Sequence, residues 1–105
     1  MTDSPVNTLL KKLIHFEKSS ATPVYIQISQ QIINAIQRSY LAGGTLLPGT
    51  RVFSQLIQIN RNTAVAVYDE LASQGWVDII ANKGTFVSAP EQKAAAIKAG
   101  SNQIG

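Results

Sequence analysis

The stretch TRVFSQLIQINRNTAVAVYDELAS, residues 50–73, decides the fold of this 105-residue chain. Its apolar residues recur at helical spacing in two short runs, which predicts one helix over 50–57 and a second over 61–73, ended by Gly75. A connection of about three to four residues separates the two runs. Two short helices joined in this way form the outline of a helix-turn-helix.

The second of these helices begins with an unusual charge. A helix N-terminus carries a partial positive charge and favours Asp or Glu in its first turn. This helix instead opens Asn60-Arg61-Asn62-Thr63, and its acids, Asp69 and Glu70, come more than two turns later. Either Arg61 is an indifferent surface residue, or an anion from outside the protein belongs there.

The two faces of this helix differ in chemistry. At 100° per residue, one face is apolar and is predicted to join the core, whereas the opposite face carries mostly small and polar side chains. The predicted core face comprises Ala64, Val65, Tyr68, Leu71 and Ala72. The polar face comprises Asn62, Thr63, Ala66, Glu70 and Ser73, which would let the backbone approach a partner closely.

The flanking sequence supplies a further helix and a hairpin. Thr22 is a suitable N-cap and Pro23 a suitable first helical residue, and an apolar stripe through Ile28, Ile32 and Ile36 follows, before Gly43–Gly44 ends the helix. Two β-prone runs, 76–80 and 85–88, flank Ala81-Asn82-Lys83-Gly84, which predicts a hairpin with a four-residue tip. The predicted fold class is therefore mainly α with a small β-hairpin (α+β): a winged helix-turn-helix with three helices and a two-stranded wing.

The two ends of the chain are expected to lie outside this domain, which spans residues 23–88. Residues 1–22 are predicted to be an N-terminal extension, in which 1–8 are loose and polar. Leu9–Lys18 is compatible with a short amphipathic helix packed on the domain, or with a strand around Leu13–Phe16. Residues 89–105 are predicted to be a linker or tail toward an absent effector domain.

Composition excludes several classes of site. The chain has no cysteine and a single histidine, His15, so it lacks disulfides, thiolate zinc sites and thiol nucleophiles, and no metal site is expected. Asp69 and Glu70 diverge by about 100° on a helix and form no catalytic pair, so an enzyme is not expected. The chain shows no signal peptide and no apolar run long enough to span a membrane, and a cytoplasmic location is expected.

The positions of the cations favour a DNA partner more than the net charge does. Net charge is +3, but Arg38, Arg51, Arg61 and Lys83 exceed the three acids of residues 23–88 by only one. Arg51 and Arg61 each stand in the first turn of a helix, where a phosphate would resolve the conflict with the dipole. In the major groove Arg61 suits guanine, Asn62 suits adenine, and Thr63 suits a phosphate or a thymine methyl. The alternative is structural: Asn60 is a cap, and Lys83 and Gly84 are turn residues.

Four motifs in this order resemble the GntR family of bacterial transcription regulators. They are Pro23-Val24-Tyr25-Ile26-Gln27-Ile28, Leu47-Pro48-Gly49-Thr50-Arg51, the set Arg61, Thr63, Tyr68 and Leu71, and Gly84-Thr85-Phe86-Val87. The resemblance implies a recognition helix over about 61–74 in the major groove and a wing over 81–85 at the minor groove or backbone. The implied DNA-binding residues are Arg51, Asn60, Arg61, Asn62, Thr63, Lys83, Gly84 and Thr85.

Three positions depart from the family pattern. Gln58 replaces the usual glycine of the turn, which predicts a strained or differently shaped turn. Asn82 replaces the first wing glycine, a mild change because Asn tolerates the left-handed conformation. Ala66 stands where many members carry a long polar side chain, which implies one base contact fewer.

The motifs look most like the MocR type of this family. That resemblance implies a homodimer in the full-length protein, a double-stranded DNA operator with repeated half-sites, and a separate C-terminal domain that binds pyridoxal phosphate. No cofactor is expected in this chain. Two alternatives stay open: a winged helix used for protein–protein contact, and a complete short regulator that dimerises through its C-terminal tail.

Overall fold

Four helices and three strands follow one another along residues 5–88, the part of the chain that the computed structural model describes. They are α1 (Pro5–Leu13), α2 (Val24–Gln37), β1 (Leu46–Leu47), α3 (Thr50–Ile57), α4 (Arg61–Ser73), β2 (Val77–Ile80) and β3 (Gly84–Val87). The strands form one antiparallel sheet in the order β1-β3-β2. This confirms the winged helix-turn-helix class, with one helix and one strand more than the sequence predicted.

The core lies where α2 and α4 pack together, with α3 against α4. The predicted stripe on α2 is confirmed, since Ile28, Ile32 and Ile36 are all buried. On α4 the prediction for Val65 was wrong: its side chain is 40% exposed, and Val67 is fully buried instead. The buried stripe of α4 is centred near Leu71, and Val65 lies about 110° around the helix from that centre.

The N-terminal extension is part of this core. Helix α1 begins at Pro5, and its Leu10 is completely buried. Ile14, the first residue after α1, is also buried. Apolar residues recur through α1 at the helical interval, as Val6, Leu9, Leu10 and Leu13. The expectation that residues 1–8 are loose is therefore wrong for residues 5–8. The amphipathic-helix alternative is confirmed for Leu9–Leu13 only, since the chain leaves the helix after Leu13, and no strand forms around Leu13–Phe16.

Helix α2 begins and ends differently from the prediction. Pro23, rather than Thr22, is its N-cap residue, and no side chain caps it. The helix ends at Gln37, well before Gly43–Gly44, because Ser39 takes a left-handed φ of 66°. The N–H of Ser39 then donates to the Ile36 carbonyl at 3.1 Å and that of Tyr40 to the Ala35 carbonyl at 2.8 Å, the pattern of a Schellman motif.

The turn between α3 and α4 adopts the conformation that a glycine would favour. Gln58 has φ 58° and ψ 56°, in the left-handed region. Both its N–H and that of Ile59 donate to the Ser54 carbonyl, the latter at 2.9 Å. Gln58 thus adopts a backbone conformation that L-residues other than glycine rarely adopt, which is where the prediction of a strained turn expects the strain to lie.

We expect Gln58→Gly to raise the free energy of unfolding by up to about 1.5 kcal/mol. A left-handed residue with a Cβ costs about 1–2 kcal/mol, and the greater freedom of glycine in the unfolded chain cancels about 0.5–1 kcal/mol of the gain. Urea unfolding measures the difference. The control is Gln55→Gly, an exposed position inside α3, which should lose about 1 kcal/mol. A loss at Gln58 equal to that at Gln55 would contradict the strain.

The wing is shorter at its tip than predicted. Ile80 pairs with Gly84, so Gly84 opens β3 and the tip consists of Ala81, Asn82 and Lys83. Asn82 has φ 66°, and the Lys83 N–H donates to the Ile80 carbonyl at 3.0 Å. Asn82 therefore supplies the left-handed turn residue that the sequence assigned to it.

Candidate nucleic-acid interface

The first turn of α4 presents polar side chains from a capped N-terminus. The Asn60 side chain accepts the Asn62 N–H at Oδ1 over 2.7 Å, which confirms Asn60 as the N-cap. Arg61 and Asn62 are exposed, and Thr63 is half-buried. No acidic residue lies in this turn. The positive end of the helix dipole and the charge of Arg61 therefore lie at the same end of α4 with no acidic residue of that turn to balance them.

A buried tyrosine holds α3 in register with α4. The Tyr68 hydroxyl donates to the Pro48 carbonyl, and its ring lies 5.1 Å from that of Phe53 with an interplanar angle of 34°. Pro48 lies just before the first turn of α3, where Arg51 stands exposed. The hydrogen bond between Tyr68 and Pro48 therefore fixes the start of α3, and with it Arg51, relative to α4.

We expect Tyr68→Phe to show this hydrogen bond through the pH dependence of stability. At neutral pH the variant should lose about 1 kcal/mol, the value of one such bond. Burial raises the pKa of Tyr68 above its ordinary value of 10.0, so the folded state keeps the phenol neutral while the unfolded state ionises it. The stabilisation is thus complete below pH 10 and falls as pH rises further, by up to about 1.4 kcal/mol per pH unit.

The measurement is urea unfolding of both chains between pH 7 and pH 11. Tyr25 and Tyr40 are common to both, so they cancel in the difference. The advantage of the unaltered chain should shrink above pH 10 and vanish by about pH 11. A constant difference across this range would show that Tyr68 titrates alike in both states.

The cations predicted at the interface are exposed on three separate elements. Arg51 lies on α3, Arg61 on α4 and Lys83 at the wing tip. Within residues 5–88, none of the three forms an ion pair with an acidic side chain. Three unpaired cations on a small domain leave the positive charge available to a polyanion.

Two of the predicted wing residues, Gly84 and Thr85, have structural roles in the sheet. Thr85 is only 7% exposed and lies in the central strand, paired with Leu47 and Ile79, so its side chain is not available to DNA. Gly84 has φ 129°, and an added Cβ would lie 2.9 Å from Cδ1 of Leu46. Gly84 therefore serves the backbone of the wing, and Lys83 is the exposed cation that the wing presents.

One cation at the edge of this surface was not predicted. Phe16 and Lys18, from the segment after α1, line a cleft of about 220 Å³ together with Val24, the turn Gln58–Asn60, and Thr63. Its sequence signal was only the run of basic and apolar residues in Leu9–Lys18, which does not indicate where the segment lies.

Among residues 5–88, no cluster of three or more His, Cys, Asp or Glu side chains is arranged to hold a metal ion. The same residues include no helix long and apolar enough to cross a membrane.

Comparison with known proteins identifies related regulators. A model described as "Bacterial regulatory proteins, gntR family" matches residues 24–87. The HTH-type transcriptional repressor YtrA of Bacillus subtilis (strain 168) is 32% identical over 76 residues, which cover 72% of this chain and 58% of YtrA. The "Probable rhizopine catabolism regulatory protein MocR" of Rhizobium meliloti is 25% identical over 76 residues, or 72% of this chain and 15% of that protein. The chain thus spans less than two thirds of the length of either relative.

Solved structures share the fold. YtrA from Sulfolobus acidocaldarius, a GntR-family transcription factor, aligns with a TM-score of 0.69 at 23% identity, over 89% of this chain and 99% of that chain. The DNA-binding domain of AraR in complex with operator ORX1 aligns with a TM-score of 0.62 at 23% identity, over 71% of this chain and 93% of that chain. Since the family model matches from the start of α2 to the end of β3, this chain belongs to the gntR family of bacterial regulatory proteins.

Proposed function

We propose that this chain is the sequence-specific DNA-binding domain of a transcription regulator, with α4 in the major groove and the wing at the minor groove or backbone. The observation that carries the proposal is the N-terminus of α4. There Arg61 and Asn62 are exposed, no acid lies in the first turn, and Arg61 has no ion-pair partner within residues 5–88. The AraR domain, which shares this fold, has been crystallised with an operator.

The roles of the side chains follow from their exposure and hydrogen bonding. Arg61 is assigned to guanine O6 and N7, and Asn62 to adenine N6 and N7, since both side chains extend from the start of α4. Asn60 uses Oδ1 for the cap, which leaves its amide N–H groups for a phosphate. Thr63 is half-buried, so its contact is limited to a phosphate or methyl group that approaches closely.

Arg51 and Lys83 are assigned to the DNA backbone. Arg51 lies in the first turn of α3, where the helix dipole and free N–H groups also favour a phosphate. Lys83 lies at the exposed tip of the wing and reaches the minor groove or the backbone beside it. Gly84 has no side chain, so the backbone of the wing can approach the DNA closely there. No side-chain contact with DNA is assigned to Thr85.

We further infer a MocR-type regulator that acts in the cytoplasm as a homodimer on an operator with repeated half-sites. The support is the resemblance of the Pro48-Gly49-Thr50-Arg51 and Asn60-Arg61-Asn62-Thr63 stretches to that type, and the similarity to MocR itself. A domain that holds pyridoxal phosphate belongs to this proposal only as a separate part of the full-length protein. Residues 89–105, assigned to the linker, and residues 1–4 lie outside the described residues.

Selection from a pool of randomised DNA duplexes tests the proposal. The chain should enrich a defined motif. Fluorescence anisotropy should then show tighter binding to this motif than to a scrambled duplex, with affinity falling steeply as salt rises. Salt-sensitive binding without enrichment of any motif would remove the sequence-specific role. Absence of any salt-dependent binding to DNA would favour a protein-interaction module.

A further inference from the structure

The segment between α1 and α2 is fixed on the domain by two glutamine side chains. Gln27 accepts the Glu17 N–H at Oε1 over 2.9 Å and donates from Nε2 to the carbonyls of Glu17 at 2.9 Å and Thr22 at 2.8 Å. One turn later, Gln31 accepts the His15 N–H over 2.8 Å and donates to the His15 carbonyl. Both side chains thus pair with the backbone of the segment as a neighbouring strand would.

This pairing sets which side chains of the segment face the domain. In an extended chain alternate residues point to opposite sides. Ile14 is buried and Phe16 is half-buried, while His15 and Glu17 between them are exposed. Lys18 begins the turn that follows this extended stretch, and it lines the cleft together with Phe16, Asn60 and Thr63. The hydrogen bonds of Gln27 and Gln31 therefore hold the segment so that the cation Lys18 lies beside the first turn of α4.

We propose that Lys18 is a further phosphate-contacting residue of the DNA interface, positioned by Gln27 and Gln31. This inference rests on the proposed DNA-binding function and extends its interface to a segment outside the family match of residues 24–87. Lys18 is exposed and forms no ion pair within residues 5–88. An ammonium group on a flexible stem makes a point-charge contact to phosphate, which adds affinity but reads no base.

The test uses Lys18→Met, which removes the charge and keeps an apolar stem in the cleft. Anisotropy titrations of the full chain, on the selected duplex and on a scrambled duplex of equal length, are repeated at several salt concentrations. The slope of log affinity against log salt should become shallower by about 0.9. When one phosphate contact is lost, one counterion fewer is released on binding, and a slope change of about 0.9 makes binding about 8-fold weaker at 0.1 M salt. The loss should be equal on both duplexes.

Two variants separate this role from bulk charge and from folding. Lys18→Arg should restore both slope and affinity. Arg38→Ala removes one exposed charge at the far end of α2, about 21 Å along the helix from Val24, and should change neither quantity. The thermal unfolding of Lys18→Met should match that of the unaltered chain.

Three results would overturn the proposal. The first is an unchanged salt slope in Lys18→Met while Arg51→Ala makes the slope shallower, which leaves the proposed DNA-binding function intact. The second is a loss confined to the selected duplex, which would make Lys18 a base-reading residue. The third is absence of salt-dependent binding by the unaltered chain, which refutes both the DNA-binding function and the role of Lys18.

Discussion

Leu10→Ala is expected to lower the free energy of unfolding by about 2–5 kcal/mol, the usual cost of truncating a fully buried leucine. Leu10 lies outside both the motifs of residues 23–88 and the family match of residues 24–87. Its side chain is nevertheless completely buried in the common core, and α1 packs against α3. Since a small domain has only about 5–15 kcal/mol of stability in total, this loss would remove a large part of it.

Urea unfolding of the full chain measures the effect, with Thr8→Ala as the control. Thr8 lies on the same helix with an exposed side chain, so its replacement should change the stability by less than about 0.5 kcal/mol. Removal of residues 1–13 should be at least as costly as Leu10→Ala, because the whole of α1 then leaves the core. Equal stabilities for the Leu10 and Thr8 variants would restore the view that the first 22 residues are an appendage.

The helix-turn-helix was predictable because its signals are local. Helices α2, α3 and α4 each carry apolar residues at helical spacing, and Asn60 and Gly75 mark the two ends of α4 within a residue or two. The hairpin was predictable from two β-prone runs around Asn82. The unusual turn at Gln58 was visible only through the family resemblance, because Gln58 stands where the family usually has glycine, and its left-handed conformation agrees with that.

The missed elements depend on contacts between distant parts of the chain. Strand β1 has two residues, too few to show a period, and it exists because Leu46 pairs with Phe86 and Leu47 with Thr85. That third strand also explains why the side chain of Thr85, predicted as a DNA-binding residue of the wing, is buried. Thr85 is in the middle strand rather than at a free edge, and its face is the one that carries Leu47 and Val87 into the core.

The candidate site divides in the same way. The sequence predicts that four of the site residues are exposed, because they lie on polar helix faces or at a turn. The structure confirms this exposure for Arg51, Arg61, Asn62 and Lys83. The position of Lys18 follows from side chain to backbone hydrogen bonds that link residues 10 and 16 positions apart, made by Gln27 and Gln31. A local pattern does not show such bonds, although Gln27 belongs to a family motif that the structure now explains.

Arg61→Ala is expected to weaken binding to the selected duplex by about 1–3 kcal/mol, or about 5- to 150-fold, and to relax the base preference at one position. The guanidinium is exposed and lies at the N-terminus of α4 with no ion-pair partner within residues 5–88, so nothing in this part of the fold depends on it. Stability should stay the same or rise slightly. Removal of a cation from the positive end of a helix relieves about 0.3–1 kcal/mol of repulsion.

Arg61→Lys separates base reading from simple charge. Lysine keeps the positive charge but lacks the planar fork that pairs with guanine O6 and N7. The lysine variant should therefore retain the salt slope and the affinity for scrambled DNA, while it loses much of the preference for the selected motif. Anisotropy on both duplexes at two salt concentrations, together with thermal unfolding, provides all three quantities. Full specificity in Arg61→Lys would reduce Arg61 to a phosphate contact, and unfolding of Arg61→Ala would make it a structural residue.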